Sequence, residues 1–75
     1  FTQSYDFELL LNNKEGMAIS LIQIGNISFH RGRLQDALDN YYRALLIFSE
    51  IKDNEGIAYS YNSIGIIYDN WNKFD

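Results

Sequence analysis

The chain contains no cysteine and no proline. Without cysteine there is no disulfide framework, no thiolate metal site and no thiol nucleophile, a composition that suits a reducing compartment and sets the expectation of a cytoplasmic protein. Without proline, nothing forces a break inside a helix. Basic residues are scarce as well: six Lys and Arg stand against ten Asp and Glu, for a net charge of -4. A nucleic-acid surface needs clustered cations to neutralise phosphates, and the nearest approach to a cluster is Arg31 and Arg33. No nucleic-acid partner is therefore expected. Long apolar runs are also missing. The longest, Ala44-Leu45-Leu46-Ile47-Phe48, falls far short of a membrane span. No basic leader followed by an apolar core opens the chain, so neither membrane insertion nor secretion is expected. The chain starts at Phe1 inside a helical pattern, which suggests a piece of a longer protein.

The sequence does hold a repeat. Displacing the 75-residue chain by 40 positions lays Glu15 on Glu55, Gly16 on Gly56, Ala18 on Ala58, Ser20 on Ser60, Ile24 on Ile64, Gly25 on Gly65 and Ile27 on Ile67. These are seven identities in the thirteen positions from 15 to 27, without a gap. Met17 on Ile57, Arg33 on Lys73 and Leu34 on Phe74 extend the register by character, as do Phe1 on Tyr41, Phe7 on Ile47 and Leu11 on Ile51. A fixed period of this length marks stacked supersecondary units.

Each unit reads as two helices. The first runs from about Lys14 to Arg31, with Asn12 or Asn13 as cap and Asn12 to Glu15 spaced as a capping box. Ala18, Leu21, Ile24 and Ile27 form one apolar stripe and Ile19, Ile22 and Phe29 another, so packing on more than one side is expected. Gly32 provides a stop. The second helix runs from about Leu34 to Ile51, with Leu34, Ala37, Leu38, Tyr41, Leu45 and Phe48 at helical spacing. Lys52-Asp53-Asn54 is the break, with Asp53 capping a third helix to about Asn70, and Trp71-Asn72-Lys73 reads as the next turn. Residues 1–12 read as the second helix of a preceding repeat, 14–51 as a complete repeat with helices 14–31 and 34–51, and 54–75 as the start of a truncated one.

The pattern Leu21-x-x-Ile24-Gly25-x-x-Ser28, followed by Gly32, Ala37, Tyr41 and Ala44, resembles the tetratricopeptide repeat signature, and Tyr61-x-x-Ile64-Gly65-x-x-Tyr68 resembles it more closely. A mid-helix glycine costs about 1 kcal/mol relative to alanine, which is tolerable where a neighbouring helix packs on the bare backbone. Three features depart from the pattern. The period is 40 rather than the usual 34 or so. Ser28 replaces a tyrosine, and Asn72 replaces a turn glycine. The longer period is similar to the long-helix variants in kinesin light chains and bacterial signalling proteins. The resemblance implies an all-α fold in which antiparallel helix hairpins stack as an α-solenoid. Its concave wall comes from first-type helices and binds a protein or peptide. By the same resemblance, Ile19, Ile22, Gln23, Asn26, Phe29, His30, Tyr59, Asn62, Ser63, Ile66, Asp69 and Asn70 line that wall.

Catalysis is not expected. His30 is the only histidine, and no nucleophile, base and orienter come together around it. Asp53-Asn54-Glu55-Gly56 lacks calcium-loop spacing, the glycines form no phosphate-cradling loop, and no cofactor or metal is expected. Asn26-Ile27-Ser28 is a glycosylation sequon only in form, since it lies within a helix. Trp71, Tyr59, Tyr61 and Tyr68 could build a ligand cage, but their helical spacing favours packing and groove lining. Two further readings stay open. One is self-association, head to tail or by helix exchange, through the incomplete end near Trp71 and Phe74. The other is a regulatory role within a larger signalling protein.

Overall fold

The computed structural model describes residues 2–73, with side chains described for 12–71. Three helices follow one another: α1 Thr2–His30, α2 Leu34–Glu50 and α3 Asn54–Lys73. α2 is the middle layer and packs against both of the others.

The two connections are built alike. After α1, Gly32 takes φ +79°, the Gly32 N–H donates to the Phe29 carbonyl at 3.0 Å and the Arg33 N–H to the Ser28 carbonyl at 2.8 Å. After α2, Lys52 takes φ +58°, its N–H donates to the Ser49 carbonyl at 3.2 Å and the Asp53 N–H to the Phe48 carbonyl at 2.9 Å. Each connection thus closes the helix end by bonding its orphan carbonyls. Glycine adopts the left-handed conformation freely, whereas Lys52 does so against its side chain. Asp53 then caps α3, its Oδ1 accepting from the Gly56 N–H at 3.2 Å, as the sequence suggested.

Two expected boundaries differ. The break at Asn12–Asn13 is absent, and α1 runs unbroken from Thr2 to His30. Asparagine adopts helical or left-handed backbone, so nothing in that pair compels a stop. The turn expected at Trp71-Asn72-Lys73 is likewise the last part of α3, because Asn72, standing where Gly32 stands one repeat earlier, does not terminate the helix.

The core is Ala18 and Ile22 from α1, Ala37, Leu38, Tyr41, Ala44 and Phe48 from α2, and Ile64 and Ile67 from α3. α2 is amphipathic, with Gln35, Asp36, Asp39 and Arg43 in solvent. The stripe expected to be packed on α1 is only partly so. Ala18 is buried, but Ile24 is 49% and Ile27 54% exposed, because α2 covers one side of α1 only. Their repeat mates Ile64 and Ile67 are buried. Lys14 Nζ reaches Glu50 Oε2 at 2.8 Å, an exposed ion pair tying α1 to the end of α2 and contributing at most about 1 kcal/mol.

Candidate functional site

α1 and α3 flank a trough whose floor is α2. Two adjoining recesses make it up. One, of about 320 Å³, is lined by Asn26, Phe29, His30, Tyr41, Tyr59, Asn62, Ser63 and Ile66. The other, of about 390 Å³, is lined by Ile19, Ile22, Gln23, Asn26 and Tyr59, with Phe48 and Gly56 beneath and Glu15, Asp53 and Glu55 at its rim. Asn26 and Tyr59 belong to both recesses.

The depth of the trough comes from a close helix approach. A Cβ on Gly25 would lie 2.7 Å from Tyr41 Cε1 and 2.9 Å from its Cδ1. Only glycine lets the ring lie against the α1 backbone. The tyrosine hydroxyl then donates to Asn26 Oδ1. That bond occupies the amide oxygen and leaves the Asn26 Nδ2 as a donor. Burial raises the Tyr41 phenol above its ordinary value, and the neighbouring Tyr59 adds to the shift. The phenol therefore remains a neutral donor across the physiological range. Phe48 plays the same part against Gly56, where an added Cβ would meet its ring.

Of the twelve residues assigned to the wall from sequence, Ile19, Ile22, Gln23, Asn26, Phe29, His30, Tyr59, Asn62, Ser63 and Ile66 line these recesses. Asp69 and Asn70 line neither, and the Asn70 Nδ2 donates to the Ile66 carbonyl at 2.9 Å within its own helix. His30 is exposed and stacks edge-on to Phe29, ring centroids 5.9 Å apart. Sequence reasoning missed Tyr41, Phe48, Gly56, Glu15, Asp53 and Glu55. For Tyr41 the signal was available: a mid-helix glycine needs something large laid against it.

Gly65 differs from its mate. Among the described residues nothing lies within 4 Å of a Cβ placed on it, so there the packing expected at both mid-helix glycines is found only at Gly25. Tyr61, Tyr68 and Trp71 are exposed along α3, and Tyr42 and Tyr68 bring their hydroxyls to 3.3 Å across α2 and α3. That hydrogen bond raises the Tyr42 phenol. Phe74, paired with Trp71 in the self-association reading, lies outside the described residues.

No helix among the described residues is long and apolar enough to cross a membrane. Comparison with curated proteins and with solved structures gives no match. The family model for the tetratricopeptide repeat matches residues 16–75. Helical hairpins, small residues at helix crossings and the register of the repeat all agree with that match, and the chain belongs to the tetratricopeptide repeat family, whose repeats typically mediate protein–protein interaction.

Proposed function

We propose that the α1–α3 trough binds an extended peptide segment of another protein. The observation that carries the reading is the shared lining of the two recesses. Asn26 and Tyr59 join them into one trough, with apolar floor on either side and amides along the walls. The Asn26 Nδ2, left as donor by the Tyr41 bond, and the Asn62 amide suit the carbonyls of an extended backbone. Phe29, Tyr41 and Ile66 suit one apolar side chain of that peptide. Grip on the backbone by amides confers affinity, and the apolar recess confers choice. The trough holds no lysine or arginine, so it has no clamp for a terminal carboxylate. An internal segment fits better than a chain end.

The test uses peptides selected from a displayed random library against this chain. Backbone amide shifts in NMR titration should move at Asn26, Tyr59 and Asn62, and the Asn26→Ala/Asn62→Ala variant should weaken binding by about tenfold or more, on the order of 1 kcal/mol for each hydrogen bond lost. Shifts confined to the outer faces of α1 or α3, with affinity unchanged in the double variant, would rule the trough out.

A second reading, association of copies through the α3 end, is supported by the open backbone at Gly65 and the exposed Tyr61, Tyr68 and Trp71. It predicts growth with concentration in sedimentation, abolished by Trp71→Ser.

A further inference from the structure

α1 and α3 carry matching residues, yet one face is covered and its counterpart is open. On α3, Gly56, Ser60 and Ile64 are buried, and Phe48 of α2 lies against the Gly56 backbone. Forty positions earlier, Gly16, Met17, Ser20, Leu21 and Ile24 line an open recess of about 520 Å³. Met17 is 58% exposed there, and among the described residues nothing lies within 4 Å of a Cβ on Gly16. The repeat thus says what kind of element this face accepts: a helix of the α2 type, with an apolar residue over the glycine.

Such an element exists in the sequence. Residues 1–11 are the repeat mates of 41–51 and include Phe7, Leu9, Leu10 and Leu11. Residues 2–11 belong to the unbroken α1 helix, so their backbone continues along its axis instead of turning back over the recess. We infer that a second copy of this chain covers it. Two α1 helices pair antiparallel about a two-fold axis near Asn12 and Asn13, and each lays residues 2–11 on the Gly16–Ile24 face of the other. The contact is self-complementary, so it forms twice and closes at two copies.

The register favours a second copy over a fold-back of the chain's own segment. A hairpin turned as at 51–53 would set residue 8 over Gly16, since Phe48 lies over Gly56. Residue 8 is Glu8, whose carboxylate would take the place of a phenyl ring. Burying it there is costly. Two separate helices can slide by one residue and bring Leu9 to that place.

Sedimentation equilibrium of the Trp71→Ser chain, which lacks the end contact named above, should show a dimer that grows no further. Asn12→Ala/Asn13→Ala, which disfavours a turn at these positions, should leave the dimer at least as tight as before, because α1 is already helical there. A chain carrying Leu9→Cys with Gly16→Cys should give, on mild oxidation, a covalent dimer on a non-reducing gel. In one straight helix the two positions are about 10 Å apart along the axis, too far for a disulfide. A monomer-sized cross-linked product would show that the segment folds back on its own chain and would overturn the inference. So would a Trp71→Ser chain that remains monomeric at several hundred micromolar, or a dimer weakened by the alanine pair.

Discussion

The same isoleucines meet different surroundings in the two first-type helices. Ile64 and Ile67 of α3 are 6% and 0% exposed, whereas Ile24 and Ile27 of α1 are 49% and 54% exposed. α2 lies between the helices and covers the preceding side of α3 and the following side of α1. Identical residues therefore become core or surface according to which neighbour stands beside them, as expected where each unit contacts only its neighbours. A repeat sequence specifies which faces are adhesive, and the stack decides which of them are satisfied. The same contrast separates the glycines: Gly25 and Gly56 are pressed by Tyr41 and Phe48, while no described residue lies within 4 Å of a Cβ on Gly16 or Gly65.

The largest test of this contrast is truncation of the isoleucine pair. Ile67→Ala removes a fully buried side chain from the α2–α3 layer and should cost about 2–5 kcal/mol in urea unfolding. For a domain of this size that consumes much of the total stability. Ile27→Ala should change stability by less than about 0.5 kcal/mol, because its side chain is already largely hydrated. Equal losses at both sites would mean that α1 is covered on that face as α3 is.

The glycines come next. Gly56→Ala drives a methyl group into the body of the Phe48 ring, and Gly25→Ala drives one into Tyr41 beside its bond to Asn26. Overpacking of this kind costs about 1–3 kcal/mol. Gly65→Ala meets no described residue and should stabilise the chain by up to about 1 kcal/mol through helix propensity alone. Thermal unfolding followed by circular dichroism reads both signs. A destabilising Gly65→Ala would reveal a neighbour on that face.

Much of this was legible beforehand. Seven identities in register fixed two equivalent first helices, the helical spacing fixed α2, and Gly32 and Asp53 marked a stop and a start that the backbone confirms. Ten of the trough-lining residues followed from the family resemblance, because the repeat sets which side of a first helix faces inward, whereas Asp69 and Asn70, assigned in the same way, line neither recess. Three things were not legible. The Tyr41–Asn26 bond depends on how closely α2 approaches the α1 backbone, a distance that periodicity does not encode. The exposure of Ile24 and Ile27 depends on which helices stand beside α1. The run of helix through Asn12–Asn13 was hidden because asparagine is compatible with both a helix and a turn, and tertiary contact selects between them.

The smallest expected effect separates those two states directly. Asp53 caps α3 through the Gly56 N–H, and its repeat mate is Asn13, which sits inside α1. Asp53→Ala removes a cap and should destabilise by about 1 kcal/mol. Asn13→Ala within an unbroken helix should instead stabilise by a few tenths of a kcal/mol, because asparagine is the poorer helix former. Hydrogen exchange at residues 14–16 sharpens the reading. In a continuous helix these amides are bonded to carbonyls four residues back and are protected. At a helix start they depend on the cap, and the Asn13→Ala substitution would expose them. If Asn13→Ala destabilised the chain as Asp53→Ala does, with faster exchange at those amides, the two repeats would share a turn at this position, and the difference between α1 and α3 would shrink to the missing cover on Ile24 and Ile27.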